Sequence, residues 1–412
     1  MQKHQEFELF ELSNGLRVVH KTTDRPVAHC GLFIHAGTKD ELEKEHGLAH
    51  FIEHALFKGT KNRRAYHILN RLDSVGGEID AFTTKEITCL NASFLTEYYK
   101  RAIELLADIV LNANFPEKEI AKEKEVVLDE IMVYQDSPSD QIYDDFESLV
   151  YEGHPLGKQI LGTKESVLAL SREDIFNYQN RLYKAENMVF SSVGNITASQ
   201  LKKLLERYLS ALPKGEVHKT LRPFKRLSPQ TSLVDKHTNQ THIMLGCPTF
   251  GLHHPKRYAM SLLNNIIGGP AMNSLLNLKV RERLGYTYHL ESNYASYAAS
   301  GLFSIYLACD PKYVKRCLKA IFRELKLLQK KPLSPSKLHL SKQQLKGQLA
   351  LARESNNNLM MSYGKSLLVS NEVKSINKIH ELIDAISAEE LQAIAKAELQ
   401  EDKFYQLHYQ GS

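Results

Sequence analysis
A chain of 412 residues, 42% hydrophobic and 25% charged, holds enough apolar material for two or more globular domains. No apolar run approaches the roughly 18 residues of a membrane span, so membrane insertion is not expected. Residues 1–200 carry 22 Lys+Arg against 32 Asp+Glu, a net of −10, while the remainder carries 31 against 16, a net of +15. The basic half has no recognition motif or aromatic-basic platform, which argues against nucleic acid as a partner. Two oppositely charged halves that attract each other account for the asymmetry better.

The opening "MQKHQEFELFELSNGLRVVHK" is acidic and alternating, without the order of a signal peptide. "LRVVHKT" and "VAHCGLFIHAG" read as strands of a meander. "HGLAHFIEH" (46–54) then places three histidines at helical spacing, and "RRAYHILNRLDSVGG" reads as an amphipathic helix stopped by Gly76 and Gly77. The strand candidates "GEIDAFTT" and "EITCLNASF" follow, and then the helices "EYYKRAIELLADIVLN" and "EKEIAKEKEVVLDEIMVYQ". Hairpins followed by packed helices predict an α+β fold rather than alternating βαβ units. Five scattered cysteines, with no C-x-x-C pair, point to reduced thiols, a cytoplasmic location and no cysteine metal site.

The sequence also repeats itself. "EYYKRAIELL" (97–106) lies over "KYVKRCLKAI" (312–321) at an offset of 215, and at that offset Gly31 meets Gly246. "SREDI" (171–175) meets "SAEEL" (387–391) at offset 216. Agreement at both ends predicts two homologous domains, 1–212 and 231–412, each an antiparallel-rich sheet packed with helices, facing each other across a cleft. The Pro- and Gly-bearing stretch 213–230 reads as a linker. At offset 215 His50 falls over Asn265 and His54 over Gly269, so the second copy does without these histidines.

On a helix, His50 and His54 project from one face and can grip one ion. Glu53 stays beside that face, positioned to accept a proton from water. The order H-x-x-E-H is the zinc-protease motif H-E-x-x-H reversed, and such donors suit Zn²⁺. A row of three histidines at i, i+4 and i+8 spans about 12 Å of axis, too far to close on one ion, so His46 is expected in the entry turn or facing solvent. A third ligand must come from elsewhere. Glu123 and Glu130 share a face of the acidic helix, and one could bind metal while the other steadies a ligand.

"GLAHFIEHALFKGT", "EKEVVLDEI", "GHPLGKQILGT", "NMVFSSVGN" and "GGPAMNSLLNLKVRERLGYTYHLESNY" occur in an order that resembles the inverzincin peptidases, the group of pitrilysin, insulin-degrading enzyme and mitochondrial processing peptidase. The resemblance covers nearly the whole chain and is to the half-length, two-copy branch. It implies one Zn²⁺ per chain on His50, His54 and Glu130, with Glu53 as catalytic base and Glu123 behind a ligand. It implies that Arg281 and Tyr288 of the second copy meet the substrate, and that a peptide adds as a strand near Asp80, Ala81, Phe82 and Thr83. Asp80 replaces a common Asn and Leu275 a common Arg, which changes two possible substrate contacts. The expected function is a zinc metalloendopeptidase of short or unfolded peptides, working as a homodimer or with a related half-length chain. The alternative is a non-catalytic scaffold or peptide-binding subunit resembling the respiratory-chain core proteins, which commonly lose the zinc residues that this chain keeps.

Overall fold
The computed structural model describes residues 6–217 and 221–411. The first half runs β1 (Glu8–Glu11), β2 (Arg17–Thr22), β3 (Val27–Ile34), α1 (Leu48–Ala55), α2 (Ala65–Asp73), β4 (Glu78–Thr83) and β5 (Thr88–Leu95). It continues through α3 (Tyr99–Asn112), α4 (Glu117–Gln135), α5 (Pro138–Val150), α6 (Lys164–Ala169), α7 (Arg172–Leu182), β6 (Met188–Gly194) and α8 (Ala198–Leu209). The second half runs β7 (Thr231–Thr238), β8 (Thr241–Thr249), α9 (Arg257–Gly268), β9 (Thr287–Ser296), β10 (Gly301–Cys309) and α10 (Val314–Lys330). It ends with α11 (Pro335–Ala352), α12 (Asn356–Ser370), α13 (Ile376–Asp384), α14 (Ala388–Glu398) and β11 (Tyr405–Gly411). The fold is α+β, as expected. The described residues of 213–230 carry no helix or strand, and 218–220 lie outside the described residues. No helix among the described residues is long and apolar enough to cross a membrane.

Two sheets form. One has the order β1-β2-β6-β3-β5-β4 and the other β7-β11-β8-β10-β9. Apart from β1 the two correspond strand for strand, and each holds one parallel pair, β2 with β6 and β7 with β11. The repeat in sequence is thus a repeat in topology. The "SREDI" and "SAEEL" stretches match because both start helices: Ser171 Oγ accepts from the Asp174 N–H at 3.2 Å, and Ser387 Oγ from the Glu390 N–H at 3.0 Å. A side-chain oxygen at this position satisfies an N–H that the first helical turn leaves open.

The chain divides into two compact units. One takes the described residues of Met1–Met132, Lys158–Thr220 and Leu351–Ser375, the other those of Val133–Gly157, Leu221–Ala350 and Ile376–Ser412. In the first unit α12 lies on β3 and β6, although its sequence position is in the second copy. In the second unit α5, from the first copy, lies on β8 and β11. The repeated glycines mark these crossings. A Cβ on Gly31 would stand 3.1 Å from the Met360 sulfur of α12, and one on Gly246 3.0 Å from the Phe146 ring of α5. Each glycine lets a helix settle onto its sheet: Leu367 of α12 is buried in one cluster with Phe33 and Val189, and Phe146 of α5 in another with Tyr306 and Leu407. The opposite face of the first sheet packs α1, α3 and α8 around Leu32, Phe51, Leu106 and Leu205, all fully buried.

Candidate metal centre
Helix α1 begins at Leu48, so His46 is not part of the row on the helix. His46 sits in the entry turn, half-buried, its Nε2 3.1 Å from the Gln159 carbonyl oxygen. Gly47 adopts φ +86°, and a Cβ there would lie 2.8 Å from the Leu161 carbonyl oxygen, so glycine alone suits both the turn and the contact. The buried Glu41 carboxylate accepts from the Gly47 N–H at 3.1 Å and the Ala49 N–H at 2.9 Å, where the helix dipole favours a negative group. Burial pushes the Glu41 carboxyl up to about 8, against the pull of these N–H groups and of Lys158.

His50 is 7% exposed and His54 partly so, their ring centroids 4.6 Å apart. Glu130 on α4 brings Oε2 to 3.7 Å from His50 Nε2 and 3.4 Å from His54 Nε2. Donors 2.0–2.1 Å from a tetrahedral zinc stand about 3.4 Å apart, so these separations already approach those a zinc ion requires. All three ligand atoms lie within 4.8 Å of one another. His54 Nδ1–H donates to Glu123 Oε1 at 2.8 Å, leaving Nε2 with its lone pair toward Glu130. Lys58 Nζ holds the other Glu123 oxygen at 2.6 Å. Glu123 is buried, which alone would raise its carboxyl, but the bonds from half-buried His54 and Lys58 outweigh burial and hold it below the usual range.

The electrostatics suit a cation. Burial, with His54 beside it, pushes His50 down to about 4, so its imidazole is neutral near pH 7, as a ligand must be. For His54 burial also favours the neutral ring, but the Glu123 hydrogen bond and the carboxylates of Glu130, Glu123 and Glu53 outweigh it and raise the pKa. His50 Nδ1 and Glu53 Oε2 are buried without a hydrogen-bond partner among the described residues. Burial raises the Glu53 carboxyl, while Thr83 pulls it down through a contact that falls short of good hydrogen-bond geometry. A cavity of about 310 Å³ opens here, walled by Glu53, His54, Phe57, Leu69 and Ile79. The donor set, its spacing and the neutral His50 fit zinc.

Asp80, Ala81, Phe82 and Thr83 all stand on β4, whose one sheet neighbour among the described residues is β5, so among those residues its far edge is unpaired in the sheet. Asp80 and Ala81 line the cavity beside Glu53. Arg281 and Tyr288 belong to the second unit. Arg281 lies in a π-helical segment, Asn277–Glu282, with Nε 3.8 Å from Glu282 Oε1, and Tyr288 on β9 is 85% exposed. Sequence reasoning missed Glu41 and Lys58. Lys58, four residues past His54, carried a helical-spacing signal; Glu41 carried none.

Comparison with known proteins shows which family the chain belongs to. Residues 17–164 match the family described as Insulinase (Peptidase family M16), and residues 169–345 match Peptidase M16 inactive domain. The chain is 33% identical over 395 residues to the uncharacterized zinc protease YmxG of Bacillus subtilis, covering 95% of this chain and 96% of that one. It is also 33% identical to an uncharacterized zinc protease of Mycobacterium tuberculosis, covering 93% and 89% of the two chains. Among solved structures, a Pseudomonas fluorescens peptidase M16 inactive domain superposes with a TM-score of 0.92 at 20% identity, covering 99% of each chain. A Helicobacter pylori protease superposes with a TM-score of 0.90 at 20% identity, covering 98% of this chain and 99% of that one. These two likenesses carry the fold. The two profiles and the long relatives together establish that the chain belongs to peptidase family M16.

Proposed function
We propose that the chain is a zinc-dependent endopeptidase of short or unfolded peptides. The observation that carries this reading is the convergence of His50 Nε2, His54 Nε2 and a Glu130 oxygen beside half-buried Glu53, whose Oε2 has no hydrogen-bond partner among the described residues. One zinc ion held by those three residues would supply Lewis-acid polarisation and an acidified water. Glu53 takes a proton from the attacking water as its oxygen bonds to the scissile carbonyl carbon. The C–N bond then breaks, and Glu53 returns the proton to the leaving amine. The raised carboxyl of Glu53 suits a group that must both accept and give up a proton. Glu123 and Lys58 keep His54 oriented. The unpaired edge of β4 offers main-chain groups to an extended peptide, which binds backbone with little demand on sequence.

In this reading Arg281 and Tyr288 contact the peptide, and the exposed Tyr288 hydroxyl has room to do so. A homodimer, or pairing with a related half-length chain, in the cytoplasm completes the proposal. The test compares wild type with Glu53→Gln for metal content and for turnover of a quenched fluorescent peptide. The expected result is equal zinc in both with turnover lost in the variant. Equal turnover would remove Glu53 from the mechanism, and peptide binding without turnover by zinc-loaded wild type would favour the scaffold reading.

A further inference from the structure
A second cavity, of about 620 Å³, lies along residues 58–67 and 114–119 of the same unit. It shares Lys58 and Ala65 with the walls of the cavity that holds Glu53 and His54, so the two adjoin. Its charge is one-sided. Lys58, Lys61, Arg63, Arg64 and Lys118 line it against the single acid Glu119. Several of these charges are already committed. Lys58 pairs with Glu123, Arg63 with Glu104 and Asp108, and Glu119 with Lys122. Lys61, Arg64 and Lys118 are exposed and have no ion-pair partner among the described residues. Three uncommitted cations therefore stand in one concave wall, next to the cavity that Phe57, Leu69 and Ile79 line together with Glu53, Asp80 and Glu123.

From these features we infer that the cavity is a subsite for acidic side chains of the peptide, on one side of the cleaved bond and within about four residues of it. The inference rests on the peptidase reading for its substrate and deepens it. Lys58 lies one carboxylate away from His54, through Glu123. Lys58 and Ala65 line both cavities, so an extended peptide, which advances about 3.3 Å per residue, passes from one directly into the other. Backbone pairing along β4 discriminates little between sequences. Charge in this wall would supply selectivity, favouring peptides with a hydrophobic residue near the bond and glutamate or aspartate beyond it.

The test uses the full-length Glu53→Gln protein and fluorescein-labelled peptides of one hydrophobic-centred sequence. Three glutamates, three glutamines or three lysines are placed on one side of the centre, then on the other, and binding is read by anisotropy at low salt. For one side, the glutamate peptide should bind about tenfold more tightly than the glutamine peptide, a preference that shrinks as salt is raised. Adding Lys61→Glu, Arg64→Glu and Lys118→Glu should invert that preference and leave the glutamine peptide's affinity unchanged, which shows the site intact. Equal affinities on both sides, a preference that survives charge reversal, or failure of every peptide to bind would overturn the inference. If the preference is present while wild type cuts none of the peptides, the subsite stands and the peptidase reading falls.

Discussion

Glu123 carries a sharp test of how the metal centre is built. Its carboxylate is nearly inaccessible, accepts from His54 Nδ1–H at 2.8 Å and from Lys58 Nζ at 2.6 Å, and uses a different oxygen for each. Glu123→Gln keeps the shape but leaves one acceptor oxygen, and its amide NH₂ then faces a donor. Either the imidazole or the ammonium loses its partner. A single charge-assisted hydrogen bond is worth about 1.5–3 kcal/mol, but Lys58 is 31% exposed and recovers part of its loss from water. Gln will therefore tend to keep the imidazole, while its neutral amide makes His54 a weaker base. The expected loss in zinc affinity is about 10- to 100-fold, or about 1.4–2.7 kcal/mol. Competition against a chelator of known affinity measures this directly. Lys58→Met should cost less, and the double variant should cost less than the sum, because both substitutions dismantle one chain of contacts. Unchanged affinity in Glu123→Gln, or strict additivity with Lys58→Met, would refute the claim that Glu123 positions His54.

Three further outcomes are expected. Glu41 carries a proton in the folded state up to about pH 8 but loses it near the ordinary carboxyl value when unfolded, so its contribution is complete at low pH and lost as pH rises through about 8. Unfolding free energies from urea titrations should fall between the ordinary carboxyl value and about pH 8, by up to about 1.4 kcal/mol per pH unit, and Glu41→Gln should flatten the slope; equal slopes would contradict this. Gly31→Ala should destabilise by about 1–3 kcal/mol in denaturant titrations, since it forces a methyl group against Phe33 and Met360 between the sheet and its crossing helix, and Gly246→Ala should cost more, because its methyl group would also clash with the Phe303 backbone carbonyl; neutral effects would remove those glycines from the packing account. Tyr288→Phe should lower kcat with little change in zinc content, whereas equal kcat would take Tyr288 out of substrate contact.

The parts of this molecule that depend on local periodicity could be read from the sequence. His50, Glu53 and His54 are close because a helix turns every 3.6 residues, and Glu123 and Glu130 share a face for the same reason. The two-copy organisation was legible through residues with local tasks, such as the caps Ser171 and Ser387. The placement of α5 and α12 was not. An amphipathic pattern says that a helix buries one face, not which sheet receives it, and the matched pair Gly31 and Gly246 carried no sign of the helix that would cross it. Glu41 was hidden for a related reason. Its role depends on a chain reversal that brings a loop acid to the N–H groups of Gly47 and Ala49, and no spacing rule encodes that. Lys58 went unread because a lysine beyond a histidine helix looks like an ordinary solvated charge until Glu123 is placed beneath it.

The central claim is that one zinc ion sits among His50, His54 and Glu130. Anomalous X-ray diffraction on either side of the zinc edge, from crystals of protein purified without added chelator, tests it most directly. The account predicts a single strong peak per chain, about 2.0–2.1 Å from His50 Nε2, His54 Nε2 and a Glu130 oxygen, and its loss in His54→Ala. A zinc-replete crystal with no peak at that point, or with the ion bound elsewhere, would contradict it.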